Sequence, residues 1–127
     1  MDLAKFGPWA LVVGGSEGVG AEFARQLAAD GFKLVLTARK PGPLEELATE
    51  LRGLGALEAG GAEVRIVSAD LKQRDVLAQV RGATDDIEIG LLVYNAGAND
   101  TRGLFVDLPA EVTDGVIAIN VHGQADF

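Results

Sequence analysis

Four short apolar runs alternate along this chain with four segments whose apolar residues recur at helical spacing. The runs are residues 9–13, 32–38, 63–69 and 87–94. After the first, Val19, Phe23 and Leu27 recur every four residues while Glu22, Arg25 and Gln26 fall elsewhere on the wheel, and Asp30-Gly31 supplies a stop. Pro43 opens the second helical segment at a favoured first-turn position, with Glu45 and Glu46 near its positive end. Leu44, Leu47, Leu51 and Leu54 form its expected buried stripe. The third, residues 73–81, turns Val76, Leu77 and Val80 inward, and the fourth, residues 109–127, carries an apolar face of Val112, Val116 and Ile119. Glycine-rich residues 53–61 and polar residues 99–103 read as loops. The order β-α-β-α-β-α-β-α predicts an α/β fold: a parallel sheet wrapped by helices through right-handed crossovers. Ligands of such sheets bind beyond the carboxyl ends of the strands.

Length and charge narrow the function classes. A chain of 127 residues has room for one domain with a real core. It has no cysteine and a single histidine, His122, so neither disulfides nor a thiolate or zinc cluster is expected. Nineteen acids against eleven bases give a formal charge of −8, unsuited to nucleic acid as the main partner. The longest apolar run near the start, Trp9–Val13, is shorter than a signal-peptide core, and no run approaches the roughly 18 residues of a membrane span. The chain therefore reads as soluble and cytoplasmic, without a membrane partner.

The first strand ends in Gly14-Gly15-Ser16-Glu17-Gly18-Val19-Gly20 and runs straight into a helix. It is not a nucleoside-triphosphate loop, because Ala21-Glu22 stands where that loop needs Lys and a hydroxyl. What fits is G-x-x-x-G-x-G over Gly14, Gly18 and Gly20. Glycines so placed permit a tight turn, close backbone approach to a pyrophosphate, and close helix–strand packing. About 20 residues on, a dinucleotide site carries an acid for NAD or an arginine for NADP. Here the stretch reads Thr37-Ala38-Arg39-Lys40. Arg39 therefore favours NADP (NADPH) over NAD, although Glu17 within the turn opposes a further phosphate.

With these motifs in place the chain resembles the short-chain dehydrogenase/reductase family. Besides the glycine turn, it has Asp70-Leu71 after the third strand, Asn95-Ala96-Gly97 after the fourth, and Asn120 in "INVHG" on the next helix. The resemblance implies a Rossmann-type sheet of order 3-2-1-4, and a single NAD(P)-binding domain of which residues 1–127 form the amino-terminal part, ending inside the helix after strand four. It implies that backbone around Ser16, Glu17 and Val19 meets the adenosine ribose and pyrophosphate. Asp70 would accept from the adenine amino group with Leu71 beside the ring, and Asn95, Ala96 and Gly97 would line the coenzyme ribose. Asn120 would be the active-site asparagine that bends its helix and holds a water in the proton relay. The activity implied is hydroxyl/carbonyl interconversion on a small-molecule alcohol or carbonyl substrate, with homo-oligomerisation through the last helix.

Two features depart from the family. Valine stands at position 13, where a threonine hydroxyl usually braces the Asn-Ala-Gly loop, and the family's Ser and Tyr-x-x-x-Lys are absent from these residues. The one tyrosine, Tyr94, falls within strand four and is expected in the core. A non-catalytic dinucleotide-binding module is the alternative reading. A Rossmann-like methyltransferase fits less well, since it wants an acid where Ala38-Arg39 stands.

Overall fold

Every strand of the molecule feeds its next loop to the same end of one parallel sheet. A computed structural model describes residues 2–55, 62–98 and 103–127. A short helix α1 (Leu3–Phe6) precedes β1 (Trp9–Val13), α2 (Gly18–Ala29), β2 (Lys33–Ala38), α3 (Pro41–Gly55) and β3 (Val64–Ser68). Then come α4 (Val76–Thr84), β4 (Ile89–Tyr94), a 3-10 turn (Phe105–Asp107), α5 (Ala110–Ile117), a π-helical turn (Ala118–His122) and α6 (Gly123–Asp126). The sheet order is β3-β2-β1-β4, all parallel, as expected. Register aligns the strand tips, with Val13 beside Thr37 and Tyr94, and Ala38 beside Ser68.

Period-two alternation divides the core. Ala10, Val12, Leu34 and Leu36 point to the face covered by α2 and α3, while Trp9, Leu11, Val13 and Val35 point to the face covered by Val80 of α4. Both faces of β1 are closed, which is why Trp9–Val13 is apolar without interruption. Each fully buried Leu or Phe here removes enough apolar surface from water to contribute roughly 1.5–3 kcal/mol. Asp30-Gly31 does end α2: Gly31 takes φ +91°, and the Phe32 amide donates to the Leu27 carbonyl.

The expected stripe on α2 is corrected by the structure. Val19 and Phe23 are 65% and 46% exposed, and the buried face is Gly20, Ala21, Ala24 and Leu27. Small side chains bring this helix close to the sheet beside the turn, so the larger residues fall outside the contact. Leu54 of α3 is likewise exposed, whereas Leu44, Leu47, Ala48 and Leu51 are buried. Proline still opens α3, but it is Pro41, and the helix continues through residues 53–55 that were expected as loop. The rest of that loop, residues 56–61, and residues 99–102 of the other lie outside the described residues. In α4, which begins at Val76, Val76 and Val80 are buried and Leu77 only half-buried. β4 is the edge strand, and its burial is partial, with Leu92 exposed.

Candidate functional site

The loops after the four strand tips enclose a cleft of about 360 Å³. Gly14, Ser16 and Glu17 line it from the first loop, Arg39 and Lys40 from the second, and Asp70, Leu71 and Lys72 from the third. Asn95, Ala96 and Gly97 line it from the fourth, with Ile119 of the π-helical turn. Nine of the sequence-derived site residues thus come together. Gly18, Val19, Gly20 and Asn120 do not line the cleft: Gly18 and Val19 are exposed, Gly20 is buried, and Asn120 is half-buried behind it.

The first turn is built from backbone contacts that only glycine allows. Gly14 adopts φ +79°, and a Cβ there would lie 2.7 Å from the Ala96 Cα. Its amide donates to the Thr37 carbonyl at 2.8 Å, and the Gly15 amide donates to the same oxygen at 3.3 Å. Those two amides are therefore spent on the sheet. The amides of Gly18, Val19 and Gly20 have no hydrogen-bond partner among the described residues, and Glu17, at the N-cap position, makes no side-chain cap. An uncapped N-terminus with three unused donors attracts negative charge.

Threonine's absence at position 13 is offset by backbone. The Val13 carbonyl accepts from the amides of Asn95 and Ala96 at 2.9 and 3.0 Å, and Asn95 Nδ2 donates to the Gly14 carbonyl at 3.2 Å. The first and fourth loops are thereby locked together. A hydroxyl does occur in the next strand, on Thr37, which is in register with Val13; its buried Oγ1 has no partner among the described residues.

Asp70 shapes its own loop. Its Oδ1 accepts from the Lys72 amide at 2.9 Å and its carbonyl from the Gln73 amide at 3.0 Å, which is the turn-forming role of an aspartate. Asn120 pairs its side-chain amide with Ala98: the Ala98 amide donates to Oδ1 at 2.9 Å and Nδ2 donates to the Ala98 carbonyl at 2.8 Å. Around Asn120 the backbone is a π-helical turn spanning Ala118–His122. With one Nδ2 hydrogen and one Oδ1 lone pair engaged, Asn120 fixes the fourth loop and keeps one donor and one acceptor in reserve.

Tyr94 ties the same turn to the sheet. Its hydroxyl donates to the Ile119 carbonyl at 2.7 Å, and Gly123 gives it room, since a Cβ there would overlap the phenol oxygen. Burial, and then the Asp126 carboxylate, push the phenol above its ordinary value. As the folded-state value lies above the unfolded one, its contribution to stability is full below about pH 10 and is lost as pH rises through the folded value. Tyr94 is the chain's single tyrosine, so spectrophotometric titration reads it alone. Phenolate is expected to appear at higher pH in the folded chain than in denaturant; a coincident or lower midpoint would contradict this burial of the phenol beside Asp126.

Charge around the cleft runs against the acidic whole. Arg39, Lys40 and Lys72 have no ion-pair partner among the described residues, whereas Arg25, Lys33, Arg65 and Arg81 pair with Glu50, Glu63, Asp86 and Asp85. Three bases meet two acids, Glu17 and Asp70, at the cleft. The sequence pointed to Arg39 but not to Lys40 or Lys72. Lys40 could have been found by adjacency, while Lys72 becomes visible only once the Asp70 turn folds it over Gly115. Among the described residues no group of three or more His, Cys, Asp or Glu could hold a metal, and no helix is long and apolar enough to cross a membrane.

Comparison with known proteins places these features in a lineage. The family described as short chain dehydrogenase matches residues 8–126. A 7beta-hydroxysteroid dehydrogenase of Collinsella aerofaciens is 34% identical over 117 residues, which are 92% of this chain and 42% of that protein. A very-long-chain 3-oxoacyl-CoA reductase of Pyricularia oryzae is 33% identical over 94% of this chain and 36% of its own length. Among solved structures, a 7beta-hydroxysteroid dehydrogenase superposes with TM-score 0.88 at 32% identity, covering 98% of this chain and 46% of that one. A short-chain dehydrogenase from Sphingobium yanoikuyae in complex with NADPH gives 0.82 at 34% identity, covering 94% and 45%. The chain thus spans less than half the length of the relatives it matches.

Proposed function

Because this chain belongs to the short-chain dehydrogenase family, we propose that its cleft binds a nicotinamide dinucleotide, NADPH ahead of NADH. In this reading residues 1–127 are the amino-terminal, coenzyme-binding part of a single domain. The oxidoreductase they serve interconverts a hydroxyl and a carbonyl on a small-molecule substrate. When bound, the coenzyme supplies the hydride. The chain's own residues bind and orient it: Asp70 and Leu71 in the cleft take the adenine, and the unused amides of Gly18, Val19 and Gly20, which follow the cleft-lining Glu17 and lie outside the lining itself, take the diphosphate. Asn95, Ala96 and Gly97 border the ribose, and Asn120 sets the backbone between cleft and last helix.

The observation that carries this reading is the coincidence, at one cleft, of an uncapped glycine turn with Arg39 and Lys40, bases without a carboxylate partner among the described residues. A cation at the end of β2 suits the 2′-phosphate of NADP, where an acid would suit the free ribose hydroxyls of NAD. The NADPH complex of the Sphingobium relative supports the coenzyme, not the preference. Calorimetric titration of the purified chain tests the proposal. NADPH is expected to bind with micromolar affinity and NADH more weakly; heat from neither would overturn it.

A further inference from the structure

We propose that Ser68 is a positioning residue for coenzyme selection, holding the backbone from which Arg39 reaches the 2′-phosphate; the inference rests on the NADP(H) reading above. Ser68 is the last residue of β3 and is in register with Ala38, the last residue of β2. Its hydroxyl passes over that partner and donates to the Arg39 carbonyl at 3.1 Å. One residue on, the Ala69 amide donates to the Ala38 carbonyl at 3.0 Å. These two bonds fasten the point where β2 leaves the sheet.

Beyond it lie only Arg39 and Lys40 before Pro41 opens α3. The Arg39 side chain is exposed and has no ion pair among the described residues, so nothing holds the guanidinium from its far end. Where it starts is fixed by the main chain alone, and the Ser68 hydroxyl is the one side-chain bond on that main chain among the described residues. A base already aimed at its phosphate loses less freedom on binding than one on a loosened link. The selectivity of the cleft thus depends on a residue that need not touch the coenzyme.

The test is a set of titrations of the whole 127-residue chain with NADPH and NADH. Ser68→Ala removes the hydroxyl and is expected to weaken NADPH roughly two- to tenfold, with NADH held within about twofold. Ser68→Thr keeps a hydroxyl and suits a strand end, so it should recover most of the NADPH affinity. In an Arg39→Ala background the Ser68→Ala loss should vanish, because the residue it positions is gone. Ser68 is exposed, so thermal melting should show all variants folded. Equal losses for both coenzymes, an unchanged NADPH affinity, or the same loss with Arg39 absent would overturn the positioning role while leaving the coenzyme reading intact. Failure of the parent chain to bind NADPH would overturn the reading itself and this role with it.

Discussion

Gly20→Ala is expected to cost on the order of 3 kcal/mol or more of folding stability and to abolish dinucleotide binding. The added Cβ would overlap the Gly14 carbonyl oxygen and lie 2.8 Å from Asn95 Nδ2. Neither neighbour can retreat. Gly14 is anchored to Thr37 through its amide, and its own Cα has Ala96 against it; Asn95 Nδ2 is already bonded to the Gly14 carbonyl. The strain must therefore pass into β1 or push α2 off the sheet, displacing the Gly18–Gly20 amides either way. Gly82→Ala is the control. Its Cβ meets nothing within 4 Å inside α4, so replacing it should raise stability by about 0.5–1 kcal/mol. Urea unfolding monitored by circular dichroism reads both. A Gly20→Ala chain as stable as the parent would show that α2 does not depend on this close approach.

Arg39→Ala carries the largest expected effect on selectivity. A charge-assisted hydrogen bond to a phosphate contributes roughly 1.5–3 kcal/mol, a factor of about 10 to 100 in affinity. Arg39 is exposed, which places the loss of NADPH affinity toward the lower end of that range, and added salt should shrink it further. NADH lacks the 2′-phosphate and should bind both proteins alike. Lys40 lines the same cleft, so some preference for NADPH should survive the single change and be lost when both bases are replaced. Equal weakening of the two coenzymes would instead mean that Arg39 serves the loop and not the phosphate.

The fold was legible because its strongest signal is long-range alternation, which four runs and four periodic segments repeat. Strand order was implied by the family resemblance, not by the periodicity, and the sheet β3-β2-β1-β4 agrees with it. What periodicity could not read was which side of α2 meets the sheet. Four-residue spacing of Val19, Phe23 and Leu27 marks a stripe of large residues, yet contact beside a tight turn needs small ones, and Gly20, Ala21 and Ala24 provide it. A hydrogen-bond slip such as the π turn at Ala118–His122 leaves no periodic trace over so few residues. The site was legible where a motif names a backbone need, as at Gly14 and Gly20. It was not where an ordinary side chain gains its role from a neighbour across the sheet. Ser68, which reaches Arg39, and Lys72, which lies over Gly115, are of that kind.

The central claim is that the start of α2 holds the diphosphate of a nicotinamide coenzyme. Its most direct test is a two-dimensional NMR titration of the chain with NADPH, following the backbone amides of Gly18, Val19 and Gly20. These three resonances should shift and gain protection from solvent exchange as the coenzyme saturates, while the Gly82 amide in α4 stays put. NADPH binding that leaves all three amides unmoved, or no binding at all, would contradict the account.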